Sequence, residues 1–140
     1  MSSLVKPTLT TRFHIDFDWW AREARELRVD VQKHLRPEYQ DAFAQGQGSG
    51  TIDDVDPLTA EVRLVDKAQY LLRSQCKPLN EFLTEHTSLV DAVFHLFLSN
   101  GNRPLSPNDL GESINRPPQT ILRTLAGRAV YKGLRPVSDE

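Results

Sequence analysis

The sequence of 140 residues contains a single cysteine, Cys76, and little that would support a membrane anchor. One cysteine excludes an intrachain disulfide and a thiolate-rich metal site within one chain, which fits a reducing cytoplasm. No window approaches the roughly 18 unbroken apolar residues of a membrane-spanning helix, and the polar first residues lack the apolar core of a signal peptide. The glycines at 46–50 lack the lysine of a phosphate-binding loop. We therefore expect a cytoplasmic protein with no cofactor and no membrane contact.

Charge is divided unevenly along the chain, although the net charge is only -2. Residues 1–100 contain 11 Lys and Arg against 15 Asp and Glu, whereas residues 101–140 contain 6 against 4. Between Arg103 and Val137 the basic residues outnumber the acidic ones by six to two. This change of sign predicts a C-terminal part that faces nucleic acid and an acidic remainder.

Residues 12–18 alternate between apolar and polar side chains, which predicts a half-buried strand with Phe13, Ile15 and Phe17 on its inner face. The other face would carry a polar row made of His14, Asp16 and Asp18. Such a row could converge on a divalent metal in a metal-dependent enzyme. The favoured interpretation is the plain polar face of a half-exposed strand, because no second cluster supports a metal site.

The rest of the N-terminal part predicts helices around one β-hairpin. Apolar spacings of three and four predict a helix over 19–35, with Asp18 as its N-cap, and Pro37 can begin a second, short helix. A turn at 56–59 between two apolar stretches predicts a hairpin of 52–55 and 62–65. The first of these strands could instead pair with residues 12–18. A further helix is predicted over 67–76, and a short helix or turn over 80–85.

A strongly apolar helix begins after Ser88, with Asp91 as a capping-box partner. Apolar residues on nearly all its sides predict that it is buried and joins both halves of the chain in one core. We expect its His95 to be a hydrogen-bonded or rim histidine rather than a metal ligand. The sequence Asn-Gly-Asn at 100–102 ends the helix, because Gly101 can adopt a positive φ.

The next residues have the spacing of a helix-turn-helix. Ser106 is the predicted N-cap of its first helix and Pro107 its first residue. Gly111 lets a second helix cross closely, and Asn115 tolerates the positive φ of a tight turn. Pro117 and Pro118 then open the second helix.

The run LSPNDLGESINRPPQTILRTL resembles the helix-turn-helix core of winged-helix DNA-binding domains. The resemblance covers residues 88–137 and is carried by Leu105, Ser106, Leu110, Gly111, Ile114, Asn115, Thr120, Ile121 and Leu125. It implies a winged-helix-like module over 87–140. Together with the short N-terminal strand and the β-hairpin predicted above, this gives an α+β fold that is mostly helical. The part over 1–86 is then a dimerisation or partner region. A family wing usually has two strands. Because this sequence ends at Glu140, the wing here would be short or absent.

The resemblance also implies a function. Helix 118–126 would enter the major groove of duplex DNA. The side chains that would face base edges are Gln119, Thr120, Arg123 and Thr124. Those that would contact the phosphate backbone are Arg116, Arg128, Lys132 and Arg135. The protein would be a non-enzymatic regulator of transcription that acts as a homodimer. The alternative is an adaptor that binds another protein through the same module, because a fold does not fix a function.

Overall fold

A computed structural model describes residues 6–22, 31–42, 51–55, 57–66 and 75–137 of the chain. These residues form helices and two small antiparallel sheets, which confirms the α+β class. The elements in chain order are β1 (Phe13–Ile15), α1 (Phe17–Arg22), α2 (Pro37–Ala42), β2 (Thr51–Val55), β3 (Val62–Asp66), α3 (Leu79–Phe82), α4 (Leu89–Ser99), α5 (Pro107–Ile114), α6 (Pro118–Leu125) and β4 (Leu134–Pro136).

The core is built around α4, whose residues 92–98 are all buried. Ser88 is its N-cap, as predicted, and its hydroxyl accepts a hydrogen bond from the Asp91 backbone N–H at 3.1 Å. The Asp91 carboxylate does not turn back to complete a capping box but accepts hydrogen bonds from Lys33 and Lys132. The helix ends where predicted, with φ of 78° at Gly101 and 62° at Asn102.

The N-terminal strand is built into the C-terminal part of the chain. β1 pairs antiparallel with β4, so that Ile15 lies opposite Leu134. On its other edge β1 forms an antiparallel bridge to Leu105, with Phe13 N–H donating to the Leu105 carbonyl at 2.8 Å. The Asn102 side chain accepts a hydrogen bond from Ile15 N–H at 2.8 Å and donates one to the Ile15 carbonyl at 2.9 Å. Residues on either side of position 86 therefore share one core.

The strand predicted over 12–18 is shorter than expected. It stops at Ile15, because the Asp16 carboxylate accepts hydrogen bonds from the backbone N–H groups of Asp18 and Trp19 and starts α1 at Phe17. The prediction that Asp18 caps this helix was wrong by two residues. Since Asp18 lies in a helix, the strand face of His14, Asp16 and Asp18 does not form.

The predicted hairpin is confirmed. β2 and β3 pair antiparallel with Ile52 opposite Val65 and Val55 opposite Val62. The alternative pairing of residues 52–55 with residues 12–18 was wrong, since β1 pairs with β4. The short helix that begins at Pro37 is confirmed as α2. The loop at 46–50, residues 23–30 of the helix predicted over 19–35 and most of the helix predicted over 67–76 lie outside the described residues.

Candidate nucleic-acid interface

The first helix of the candidate interface, α5, begins with a complete capping box. The Ser106 hydroxyl accepts a hydrogen bond from Asp109 N–H at 3.2 Å, and the Asp109 carboxylate accepts one from Ser106 N–H at 3.2 Å. Pro107 occupies the first turn, where no hydrogen-bonding N–H is needed. Leu110 and Ile114 are buried and attach α5 to the core.

A tight turn joins α5 to α6. Asn115 adopts the left-handed conformation, with φ of 57° and ψ of 50°, as predicted. A Cβ atom on Gly111 would lie 2.6 Å from the Arg116 carbonyl oxygen and 2.9 Å from Cγ of Pro118. The start of α6 is therefore packed directly on the backbone of α5 at Gly111.

The second helix, α6, is buried on one side only. Ile121 and Leu125 point into the core. Gln119, Thr120 and Arg123 are exposed, and they form what we call the outer face of α6. Thr124 is half-buried, and its hydroxyl donates a hydrogen bond to the Thr120 carbonyl at 3.0 Å. The outer face thus presents one cation, one amide and one hydroxyl to the solvent.

Three of the side chains predicted to contact phosphates have partners within the protein. Arg116 donates a hydrogen bond from Nη2 to the Thr87 carbonyl at 2.9 Å. Arg135 Nη1 lies 3.4 Å from Oδ2 of Asp16. Lys132 donates to Oδ1 of Asp91 at 2.6 Å and lies over the ring of Phe94. The fourth, Arg128, is exposed in the turn after α6.

The position of Lys132 follows from its backbone. Its φ is 52°, and its carbonyl accepts a hydrogen bond from the Trp20 indole N–H at 3.1 Å. The ammonium group is therefore directed onto α4 and Asp91. Burial raises the pKa of Asp91, but the hydrogen bonds from Lys132 and Lys33 outweigh it and lower that pKa to about 2.

The N-terminal segment lies beside α6, which the sequence did not indicate. A groove of about 530 Å³ separates them. Its walls are Lys6, Pro7 and Leu9 on one side and Gln119, Leu122, Arg123 and Ala126 on the other. The Leu9 carbonyl accepts a hydrogen bond from Asn108 N–H at 3.2 Å, which fixes the segment to α5. Lys6 is exposed, so the segment adds a second cation to this surface.

Comparisons of the chain with family models, with curated proteins and with solved structures gave no match. In the described part of the chain, no helix has both the length and the apolar character needed to cross a membrane. Within the same residues, no three His, Cys, Asp or Glu side chains are grouped so that they could hold a metal ion.

Proposed function

We propose that this protein is a non-enzymatic DNA-binding protein, a regulator of transcription, that inserts α6 into the major groove of duplex DNA. The observation that carries the proposal is the exposed outer face of α6. A helix fixed to the core by Ile121 and Leu125 holds Gln119, Thr120 and Arg123 toward the solvent. Arg and Gln side chains are the types that make bidentate hydrogen bonds to the edges of guanine and adenine.

We also propose that the module is a winged helix whose sheet is completed from the N-terminus. In winged-helix domains, two wing strands usually follow the helix-turn-helix. Among residues 126–137 of this protein, β4 is the single strand that the structure describes after α6. β1 lies between β4 and Leu105 and is antiparallel to both. It therefore takes the position that the second wing strand would occupy. Residues 6–12 precede β1 along the chain, so the same insertion brings Lys6 to the side of α6.

The exposed cations set the strength and salt dependence of the binding. Lys6, Arg123 and Arg128 are exposed on or beside α6, whereas Arg116, Lys132 and Arg135 have partners within the protein. Each phosphate that is neutralised contributes a slope of about -0.9 to a plot of log K against log salt, so three cations give about -2.7. Affinity should then fall about 40-fold between about 50 and 200 mM salt. A symmetric dimer would double the contacts and the slope.

The proposal is tested by measuring the binding of a fluorescently labelled random duplex. Arg123→Ala should weaken binding and lower the slope by about one, because a cation at the centre of the outer face is lost. Arg36→Ala is the matched control, since Arg36 is an exposed arginine on another part of the fold and its loss changes the net charge equally. Equal effects of the two substitutions would show that only the total charge matters and would contradict insertion of α6.

The hairpin favours a second candidate function, a protein-interaction adaptor that binds its partner through the hairpin rather than through the helix-turn-helix module. Val55 is 54% exposed, Val62 57% and Leu58 94%, so the end of the β2–β3 hairpin presents apolar side chains to the solvent. Apolar groups exposed together favour contact with another protein.

If Val62→Asp abolishes self-association measured by light scattering but leaves DNA binding per chain intact, the hairpin serves the proposed dimer. If the chain binds no DNA at low salt, the adaptor is the better candidate.

A further inference from the structure

Two histidines that are both 0% exposed are in direct contact inside the protein. Nδ1 of His34 lies 2.8 Å from Nδ1 of His95. Nε2 of His95 lies 2.8 Å from the Lys77 carbonyl oxygen. The ring of Phe82 stacks on both imidazoles. Its centroid lies 4.1 Å from the ring centroid of His95 and 4.5 Å from that of His34. The pair thus connects α4, which carries His95, with the residues around His34, and α3 covers both rings with Phe82.

The hydrogen bonds of this pair determine where its protons are. A carbonyl only accepts, so His95 Nε2 must carry the proton that it donates to Lys77. In a neutral His95, Nδ1 is then an acceptor, and His34 must donate to it from its own Nδ1. Nε2 of His34 is left as a bare lone pair in a buried position, and no described residue donates a hydrogen bond to it.

An added proton has no good position in this arrangement. If His34 is protonated, its Nε2 becomes an N–H group that has no acceptor within hydrogen-bond distance in the described part of the chain. If His95 is protonated at Nδ1, His34 must move its own proton from Nδ1 to Nε2 to accept the new hydrogen bond. The result is again a buried N–H group without an acceptor, which costs about 1–3 kcal/mol. A second proton breaks the bond between the two rings.

The surrounding charges oppose protonation as well. Burial, with contributions from His95, Lys132 and Lys33, lowers the pKa of His34 to about 3, and Asp91 opposes them. Burial also lowers the pKa of His95, against the hydrogen bond to the Lys77 carbonyl, and the Lys77 ammonium lowers it further. Burial raises the pKa of Cys76 to about 12, so its thiol brings no negative charge. On α3 the acid Glu81 is exposed.

The histidines connect α4 to two segments that are joined to each other. We call residues 31–36 and 75–79 the paired segments. Arg36 N–H donates to the Gln75 carbonyl at 2.9 Å, and Lys77 N–H donates to the His34 carbonyl at 2.8 Å. Polar contacts of the paired segments with α4 include the two hydrogen bonds of His95 and the Lys33–Asp91 ion pair at 3.0 Å.

We propose that the His34–His95 pair is an acid-labile latch, which releases the paired segments from α4 when the pair is protonated, while α5, α6 and the β1–β4 sheet stay folded. The latch is fully closed above about pH 6.5, where an exposed histidine is neutral, and weakens as the pH falls toward 3. When the pH falls from about 7.5 to about 5.5, each histidine whose pKa returns to its ordinary value on opening raises the equilibrium constant for opening about tenfold. Two such histidines raise it by up to about a hundredfold.

The latch is tested by hydrogen exchange of single amides at pH 7.5 and 5.5, corrected for the intrinsic effect of pH. Protection of the Arg36 and Lys77 amides should fall between about tenfold and a hundredfold. Protection of the Leu110 and Ala126 amides, which lie in and after the helix-turn-helix, should stay within about twofold. An equal fall at all four amides, or no fall at Arg36 and Lys77, would overturn the proposal.

Variants without a titrating imidazole sharpen the test. In His34→Asn with His95→Gln, side-chain amides replace the rings, so the loss of protection at pH 5.5 should disappear. His86→Gln is the matched control, because the His86 side chain is 88% exposed, and it should behave like the natural sequence. If the double variant does not fold, nitrogen chemical shifts of the histidines in the natural sequence decide the question. A His34 that titrates near pH 6.5 with its partners intact would refute the latch.

Discussion

Gly111 is the position at which the α5–α6 geometry can be tested by adding one carbon atom. In Gly111→Ala, the new Cβ would lie 2.6 Å from the Arg116 carbonyl oxygen, whereas ordinary contacts begin near 3.4 Å. The turn must therefore move away from α5 by about 0.8 Å. A backbone oxygen cannot rotate aside as a flexible side chain can, so the chain that leads into α6 has to shift.

The expected cost is the difference between two opposing effects. Overpacking a close contact costs about 1–3 kcal/mol, and we expect the upper end because the atom that is met belongs to the backbone. Alanine inside a helix recovers about 0.5–1 kcal/mol relative to glycine. The net loss in the free energy of unfolding should be about 2 kcal/mol. With a urea m-value of about 2 kcal/mol/M, the midpoint should fall by about 1 M.

Gly127→Ala is the control for this prediction. A Cβ at Gly127 would find its nearest neighbours at 3.8 Å, and Gly127 is not among the residues with a positive φ. This substitution should leave the urea midpoint unchanged or raise the free energy of unfolding by up to about 1 kcal/mol. If Gly111→Ala is as stable as Gly127→Ala, the close packing of α6 on α5 is refuted.

Three further substitutions test contacts that hold the interface in place. Ser106→Ala removes the hydroxyl that accepts a hydrogen bond from Asp109 N–H, whereas the backbone N–H at position 106 can still donate to the Asp109 carboxylate. The substitution should lower the free energy of unfolding by about 1 kcal/mol in urea; an unchanged midpoint would show that the cap does not contribute. Trp20→Phe keeps an aromatic ring beside Phe94 but loses the hydrogen bond to the Lys132 carbonyl. The free energy of unfolding in urea should therefore fall by about 1 kcal/mol, and an unchanged value would contradict that hydrogen bond. The pKa of Asp91 is lowered from 3.8 to about 2, so its contribution of up to about 2 kcal/mol is present above pH 3.8 and is lost as the pH falls toward 2. Asp91→Asn should remove that part of the acid dependence of unfolding, and an identical dependence in both proteins would count against the ion pairs with Lys33 and Lys132.

Several features that depend on neighbouring residues in the sequence were predictable, although the N-cap expected at Asp18 and the capping-box role expected of Asp91 were wrong. The cap at Ser106, the proline at the start of α5 and the positive φ at Asn115 are all confirmed. Each follows from the local chemistry of one side chain and the backbone next to it. The hairpin of β2 and β3 was predictable for the same reason, since its two strands are joined by a short turn.

Features that depend on distant residues were not predictable. β1 and β4 are separated by more than a hundred residues, and nothing in the alternation at 12–18 indicates which strand is its partner. The contact between His34 and His95 spans 61 residues. Lys132 counts as an exposed cation in the sequence, but the left-handed backbone of residues 132–133 turns it onto Asp91. Composition thus overstated the number of cations that the proposed DNA interface could offer.

The salt dependence of binding to a random duplex tests the central claim most directly. We expect binding at about 50 mM salt that weakens about 40-fold by about 200 mM, with a slope near -2.7 per chain. Arg123→Ala should bring the slope close to -1.8, and Arg36→Ala should leave it unchanged. Absence of binding at low salt, or a slope that Arg36→Ala lowers as much as Arg123→Ala does, would contradict the proposal that α6 is the DNA-binding helix.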